Sequence, residues 1–177
     1  TGRNGFNDLF GHIRMIYARE KAKRALLEEF KEHVLSVVAT PEDLIEKVLE
    51  PYADSYLIAK SQQYVSTKNA EDVNRLLKWL NRIDNSDWLP PAILFLSQKK
   101  DHPEYVLWFF TKLERLAAYL HICAKNVNQR IERYAEVIAS LQAPHSKDAP
   151  AVSVELTKAE IDEMKEALDG KIYELTA

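Results

Sequence analysis

Pro103-Glu104-Tyr105-Val106-Leu107-Trp108-Phe109-Phe110-Thr111-Lys112-Leu113-Glu114-Arg115-Leu116-Ala117-Ala118-Tyr119-Leu120 is the stretch that decides the fold class. Val106, Phe109, Phe110, Leu113, Leu116, Ala117 and Leu120 recur at spacings of three and four, so they form one apolar stripe on an α-helix. Lys112, Glu114 and Arg115 fall largely outside that stripe, while Tyr105 and Trp108 widen it. The pattern predicts a central core helix over residues 103–124. Asn126 ends it, and Asn126 or Asn128 caps a following helix in which Ile131, Tyr134, Val137, Ile138 and Leu141 repeat the spacing.

Working toward the N-terminus, Asp84-Asn85-Ser86-Asp87 gathers four residues able to cap a helix, followed by Trp88-Leu89-Pro90-Pro91. Two prolines in a row fit only a first helical turn, where their missing N–H groups have no partner to lose. A helix is therefore expected to begin near Asp87 and to carry Ile93, Leu94 and Leu96. Val73, Leu76, Leu77 and Leu80 mark another over residues 70–83, and residues 61–67, around Tyr64, read as loop. Thr40 with Pro41 reads as an N-cap and first helical position. Leu44, Ile45, Val48 and Leu49 then make a short helix that Pro51 ends or kinks, with a further helical segment over 52–59. Phe6, Leu9, Phe10, Ile13, Ile16 and Tyr17 begin a pattern that runs on through Leu26, Leu27, Phe30, Val34, Val37 and Val38. This predicts one long helix with Gly11 as its weak point.

Toward the C-terminus, residues 143–156 read as a linker by composition. Thr157 and Glu160 have the spacing of a capping box ahead of Ile161, Met164 and Leu168, and Gly170 is a stop signal. The alternating Val152-Ser153-Val154-Glu155-Leu156 is too short and isolated to build a sheet. The expectation is an all-α, single multi-helix bundle of seven or eight helices: a helical core domain over 1–142, the 143–156 linker, and a C-terminal helix and tail over 157–177 docked on the core.

Composition excludes several classes. The chain has 177 residues, 46% of them apolar, so it can bury a sizeable core without disulfides. Four glycines are too few for a nucleotide-binding α/β fold and disfavour turn-rich β architectures. The single cysteine, Cys123, rules out an internal disulfide framework and any CxxC site, and suits a reducing cytoplasm. It reads as a buried small hydrophobe. A formal charge of −3 points to no global attraction for nucleic acid or an acidic membrane. No apolar run reaches the length of a membrane span, and no basic segment precedes an apolar one as in a signal peptide. Beginning at Thr1 and not at Met, the chain is expected to be a processed product or a piece of something longer.

Candidate chemistry is sparse. His12, His33, His102, His121 and His145 form no HxxxH or ExxH pair, and no metal or other cofactor is expected. Glu29 and His33 share a face but sit among charges and read as solvated. No phosphate-binding glycine motif exists. Arg115 and His121 have the Arg-x5-His form of HEPN-type ribonucleases, a spacing that arises readily by chance in a chain with this many arginines and histidines. The bland reading pairs Arg115 with a carboxylate and puts His121 at the negative pole of a helix. The basic run Arg14, Arg19, Lys21, Lys23 and Arg24 divides over two helix faces and reads as solvated surface.

Four strings carry a further signal: Phe10-Gly11-His12-Ile13-Arg14-Met15-Ile16-Tyr17, residues 76–91 (Leu-Leu-Lys-Trp-Leu-Asn-Arg-Ile-Asp-Asn-Ser-Asp-Trp-Leu-Pro-Pro), residues 113–120, and Asn126-Val127-Asn128-Gln129-Arg130-Ile131-Glu132-Arg133-Tyr134. In this order and spacing they resemble the helical middle region of GmrSD-type proteins, a bacterial defence family of type IV, modification-dependent restriction systems. The resemblance spans about residues 8–140 and reaches faintly to Tyr173. It implies a place between a ParB/sulfiredoxin-like nucleotidase module and a His-Me-finger nuclease. Neither catalytic signature is present: Ser61-Gln62-Gln63-Tyr64 is not Asp-Gly-Gln-Gln-Arg, and His12-Ile13 lacks the second motif's context. No catalytic residue carries over.

Physically, Asp84, Ser86 and Asp87 are expected to cap the helix at Trp88, whose indole docks in the core with its N–H bonded and which Pro90 helps to start. Glu114 and Arg115 are expected to pair with Arg130, Arg133 or Glu132 on the next helix and fix its register. The counter-reading has Arg82, Arg115, Asn128, Arg130 and Arg133 converging on one cleft that touches DNA or the neighbouring module. The expected function is a non-catalytic, cytoplasmic coupling scaffold in phage defence. Its expected partners are the flanking modules, DNA through an accessory surface, and a second copy in a homodimer, with no membrane. The alternative is a metal-independent HEPN-like ribonuclease using Arg115 and His121.

Overall fold

The chain is described by a computed structural model over residues 2–144 and 153–170. It is all-α, with no strand among these residues. At its middle lies α6 (Leu89–Lys99), whose residues from Leu89 to Leu96 are all buried. α1 (Gly2–Ala18), α4 (Glu50–Ser61), α7 (Pro103–Ile122) and α8 (Val127–Gln142) pack around it, so the Leu89–Leu96 stretch has no side left for polar residues, which come only in the last turn. The central helix is therefore α6, and the 103–124 helix expected in that place is one of its wrappers. A run buried on every side has no apolar period to detect, which hides α6 from a spacing analysis. Its two prolines sit in the first turn as expected.

The α7 stripe is buried residue for residue, from Val106 through Leu120. Phe109 stacks on Phe95 of α6 with ring centroids 3.8 Å apart, and Phe110 meets Phe95 edge-on at 6.5 Å. α5 (Ala70–Leu80) and α9 (Lys158–Asp169) pack on α7. The 61–67 loop hides an anchor. Tyr64 is buried, its hydroxyl donates to the Lys100 carbonyl at 2.7 Å, and its backbone exchanges two hydrogen bonds with the Asn74 side chain.

The caps follow local sequence chemistry. Thr40 Oγ1 accepts from the Asp43 N–H, and Asn126 with Gln129 and Thr157 with Glu160 both form complete capping boxes. Pro51 does not end its helix. α3 (Pro41–Asp43) passes through a π-helical segment (Leu44–Leu49) into α4 as one continuous rod. The wider π turns open the hydrogen-bond ladder where Pro51 has no N–H to give. Counting that rod once, and α2 (Leu26–Phe30) with its π-helical continuation (Lys31–Leu35) once, the described residues form eight helices.

The long helix expected from Phe6 to Val38 is broken. α1 stops at Ala18, Arg19 takes a left-handed conformation with φ of 55°, and the chain crosses to α2 through residues 19–25. A buried ion pair makes the break worthwhile. Arg14 and Glu29, read from sequence as solvated, are both nearly inaccessible, and Nε lies 2.5 Å from Oε2 without hydrogen-bond alignment. The Glu29 carboxylate accepts the N–H groups of Lys23 at 2.6 Å and Arg24 at 2.7 Å, and Arg14 donates to the carbonyls of Glu20 and Lys21. An uninterrupted helix would use these backbone groups in its own ladder. Leu9, Ile13, Phe30, Val34 and Val48 form a second, smaller apolar cluster beside this network.

The span read as a 143–156 linker is described only at its ends. Val154 is fully buried in the main core and Ser153–Glu155 forms a turn, so this end is packed structure and neither linker nor strand. His145, Tyr173 and the 171–177 tail lie outside the described residues. α9 ends as expected at Gly170, in an extended conformation with no need of left-handed φ.

Candidate functional site

The five residues read as one contact cleft are dispersed. Arg130 Nε donates to Asp87 Oδ2 at 2.7 Å and its Nη1 to the Lys125 carbonyl at 2.9 Å, tying the start of α8 to the turn before α6 and to the end of α7. Arg133 Nε donates to Glu160 Oε1 at 2.7 Å, and its Nη atoms to the carbonyls of Ser153 and Glu155 at 2.6 and 3.0 Å. Arg133 thus clamps the approach to α9 against α8. Asn128 Oδ1 accepts from Lys21 Nζ at 3.1 Å. Arg82 is exposed in the turn after α5.

Register between α7 and α8 is not set by Glu114 and Arg115. Among the described residues neither forms an ion pair; burial raises the Glu114 carboxyl above its usual range. Arg115 is exposed on a groove of about 490 Å³ between α7 and α9, floored by Leu156, Ile161, Met164 and Leu168. His121 is exposed in the last turn of α7, about 120° around the helix from Arg115, and does not line that groove. The partners of α8 are instead Asp87 and Glu160, far off in sequence and therefore invisible to local spacing.

The cap roles expected before α6 also fail. Trp88 occupies the N-cap position without a side-chain hydrogen bond, Asp87 is turned to Arg130, and Asn85 Oδ1 accepts the Asp87 N–H at 3.2 Å. The Trp88 indole is buried as expected.

α9 is held by a second polar cluster. Glu163 accepts from the Tyr119 hydroxyl at 2.6 Å and from Lys125 Nζ at 2.5 Å. These bonds, that from Lys125 first, hold the Glu163 carboxyl below its usual range. Burial and the Glu163 partner push the Tyr119 phenol up to about 12. Cys123 beside them is half-buried instead of buried, and burial raises its thiol, so the cluster favours neither a thiolate nor a phenolate. It is a structural clamp.

Three of the four segments that carry the sequence signal do meet, at a place spacing did not reveal. A cavity of about 280 Å³ lies between the second half of α1, the 19–25 crossing, the turn before α6 and the α8 wall. Gly11, His12, Arg14 and Met15 line it from the first string, Ser86, Asp87 and Pro90 from the second, and Ile131 from the last. Four of its charged side chains are matched locally, Arg14 by Glu29, Glu20 by Lys23, Arg24 by Glu32 and Asp87 by Arg130, and the fifth, Lys21, meets the Asn128 amide oxygen. Burial, opposed in part by Asp8, lowers the His12 imidazole from 6.5 to about 4, so it is neutral at pH 7.

Among the described residues no group of histidine, cysteine or carboxylate side chains could hold a metal ion, and no helix is long and apolar enough to cross a membrane. Comparison of the chain with known family models, curated proteins and solved structures finds no match.

Proposed function

We propose that this chain is a non-catalytic helical coupling domain, of the kind its signature strings resemble in GmrSD-type restriction proteins, where it would join two active modules. One observation carries the reading. The arginines best placed for substrate, Arg130 and Arg133, are committed to Asp87, Glu160 and backbone carbonyls that fasten helices to one another. A residue used this way sets the relative position of elements, which is what a rigid coupler needs. The same commitment leaves an accessory DNA surface without this arginine pair, since phosphate binding needs cations free of carboxylate partners.

The test is turnover by the purified 177-residue chain offered single-stranded RNA, duplex DNA or nucleoside triphosphates, with and without magnesium. The expected result is no product above the protein-free blank and DNA retention that Arg130→Ala leaves unchanged. RNA cleavage abolished by Arg115→Ala or His121→Ala would overturn the coupling reading in favour of a HEPN-like ribonuclease.

A further inference from the structure

We propose that the cavity between α1, the 19–25 crossing, the turn before α6 and α8 is a preformed binding site for a small organic anion with an apolar body. Its carboxylate or phosphate group would be taken by the Lys21 ammonium, and its body seated on Met15, Pro90 and Ile131. This goes beyond the coupling reading and does not rest on it, because equilibrium binding tests the one and turnover the other.

The wall of the cavity is built, not left to chance. Lys21 to Ala25 are exposed and have little core contact to order them. They are fixed instead by the Arg14–Glu29 pair, which accepts two of their N–H groups and donates to two carbonyls of the crossing. Burying an ion pair carries a desolvation cost that apolar residues would avoid, and what it achieves here is a rigid crossing. A wall ordered before the ligand arrives spares the ligand that ordering entropy.

The charge pattern selects the ligand. Of the charged residues on the cavity wall, Arg14, Glu20, Arg24 and Asp87 each have an oppositely charged partner, whereas among the described residues Lys21 is held only by the neutral Asn128 amide oxygen. Neutral His12 adds no charge at pH 7. One unmatched cation over an apolar floor suits a ligand with one anionic group and a hydrophobic body. The volume of about 280 Å³ falls at the small end for ligand sites.

Gly11 opens the α1 side. Its backbone is helical and has no positive φ, and a Cβ built on it would meet nothing within 4 Å. Neither conformation nor close packing requires glycine there, although glycine weakens a helix interior relative to alanine. Gly11 lines the cavity and a Cβ there has open space, so a larger side chain at this position would take up cavity volume.

The experiment titrates the full chain with 1-naphthoate as the probe and 1-naphthalenemethanol as its uncharged counterpart, followed by amide NMR shifts and calorimetry. The expected result is saturable naphthoate binding, with shifts centred on Gly11, Ala22, Ser86 and Ile131. Gly11→Leu is expected to weaken it about tenfold or more by filling the cavity, while Gly11→Ala changes it little. Lys21→Met is expected to weaken naphthoate about fivefold and leave the alcohol unchanged. Lys21 is exposed, so that variant carries the test even if Gly11→Leu fails to fold. Absence of saturation, shifts centred on the α7/α9 groove, unchanged binding by a folded Gly11→Leu, or loss of both probes in equal measure with Lys21→Met would each overturn the proposal.

Discussion

The two apolar clusters of this chain are stabilised by different means. Around α6, order comes from shape: Phe95, Phe109 and Phe110 interlock, and the core from Leu89 to Leu96 contains no charged group. Around Phe30 and Val34, five buried side chains supply too little apolar area to dictate one arrangement, and the Arg14–Glu29 pair does the specifying. Large apolar residues stay exposed at the N-terminal end, among them Phe6, Leu27 and Val37. The lesson is that a thin core can still have a fixed geometry if polar groups are wired into its backbone, at the cost of sensitivity to any change in charge.

The largest expected effect tests the α6 side. Phe109→Ala leaves a cavity against Phe95 and is expected to cost about 4 kcal/mol, with amide protection falling throughout the chain because every wrapping helix depends on α6. Unfolding confined to α7 would break the idea of one shared core.

Glu29→Gln tests the other side. It leaves the Arg14 guanidinium buried without its counter-charge and is expected to cost about 3 kcal/mol. Hydrogen exchange should show the loss over residues 19–35, with α7 keeping its protection. Equal loss everywhere would mean that the two clusters unfold as one.

The smallest effect concerns pH and sharpens the contrast. His12 is a base whose folded pKa of about 4 lies below its unfolded value of 6.5, so the unfolded chain takes up the proton first as pH falls. Its contribution is complete above pH 6.5 and is lost progressively from there toward pH 4. Urea midpoints should therefore fall between pH 6.5 and pH 5 by an amount worth about 2 kcal/mol, and His12→Gln should flatten that slope. The carboxyls held low, Glu20, Glu29, Glu160 and Glu163, add their losses only below about their ordinary 4.5.

Legibility followed the range of the interactions. Thr40, Asn126 and Thr157 could be read as caps because a cap and its partner lie within three residues of each other. The α7 stripe was legible because its burial is one-sided. α6 was obscured as the centre because it is buried on all sides, and the break at Arg19 because its cause, Glu29, lies ten residues away on another helix. Of the candidate contact residues, spacing found Arg130 and Arg133 but not what they bind. The cavity was missed altogether, since its lining comes from three distant strings and the crossing that the break creates.

Sequence alone determined that the chain is helical, where most of its helices begin, and which faces of α5, α7 and α8 turn inward, because these depend on backbone hydrogen bonding and on a period of three to four residues. Only the tertiary structure decided that α6 is central, that Arg14 meets Glu29, Arg130 meets Asp87 and Arg133 meets Glu160, and that a hollow is left between α1 and α8. Those outcomes depend on which of many chemically equivalent charges and apolar faces come together in space, a choice made by packing and not by any local run of residues.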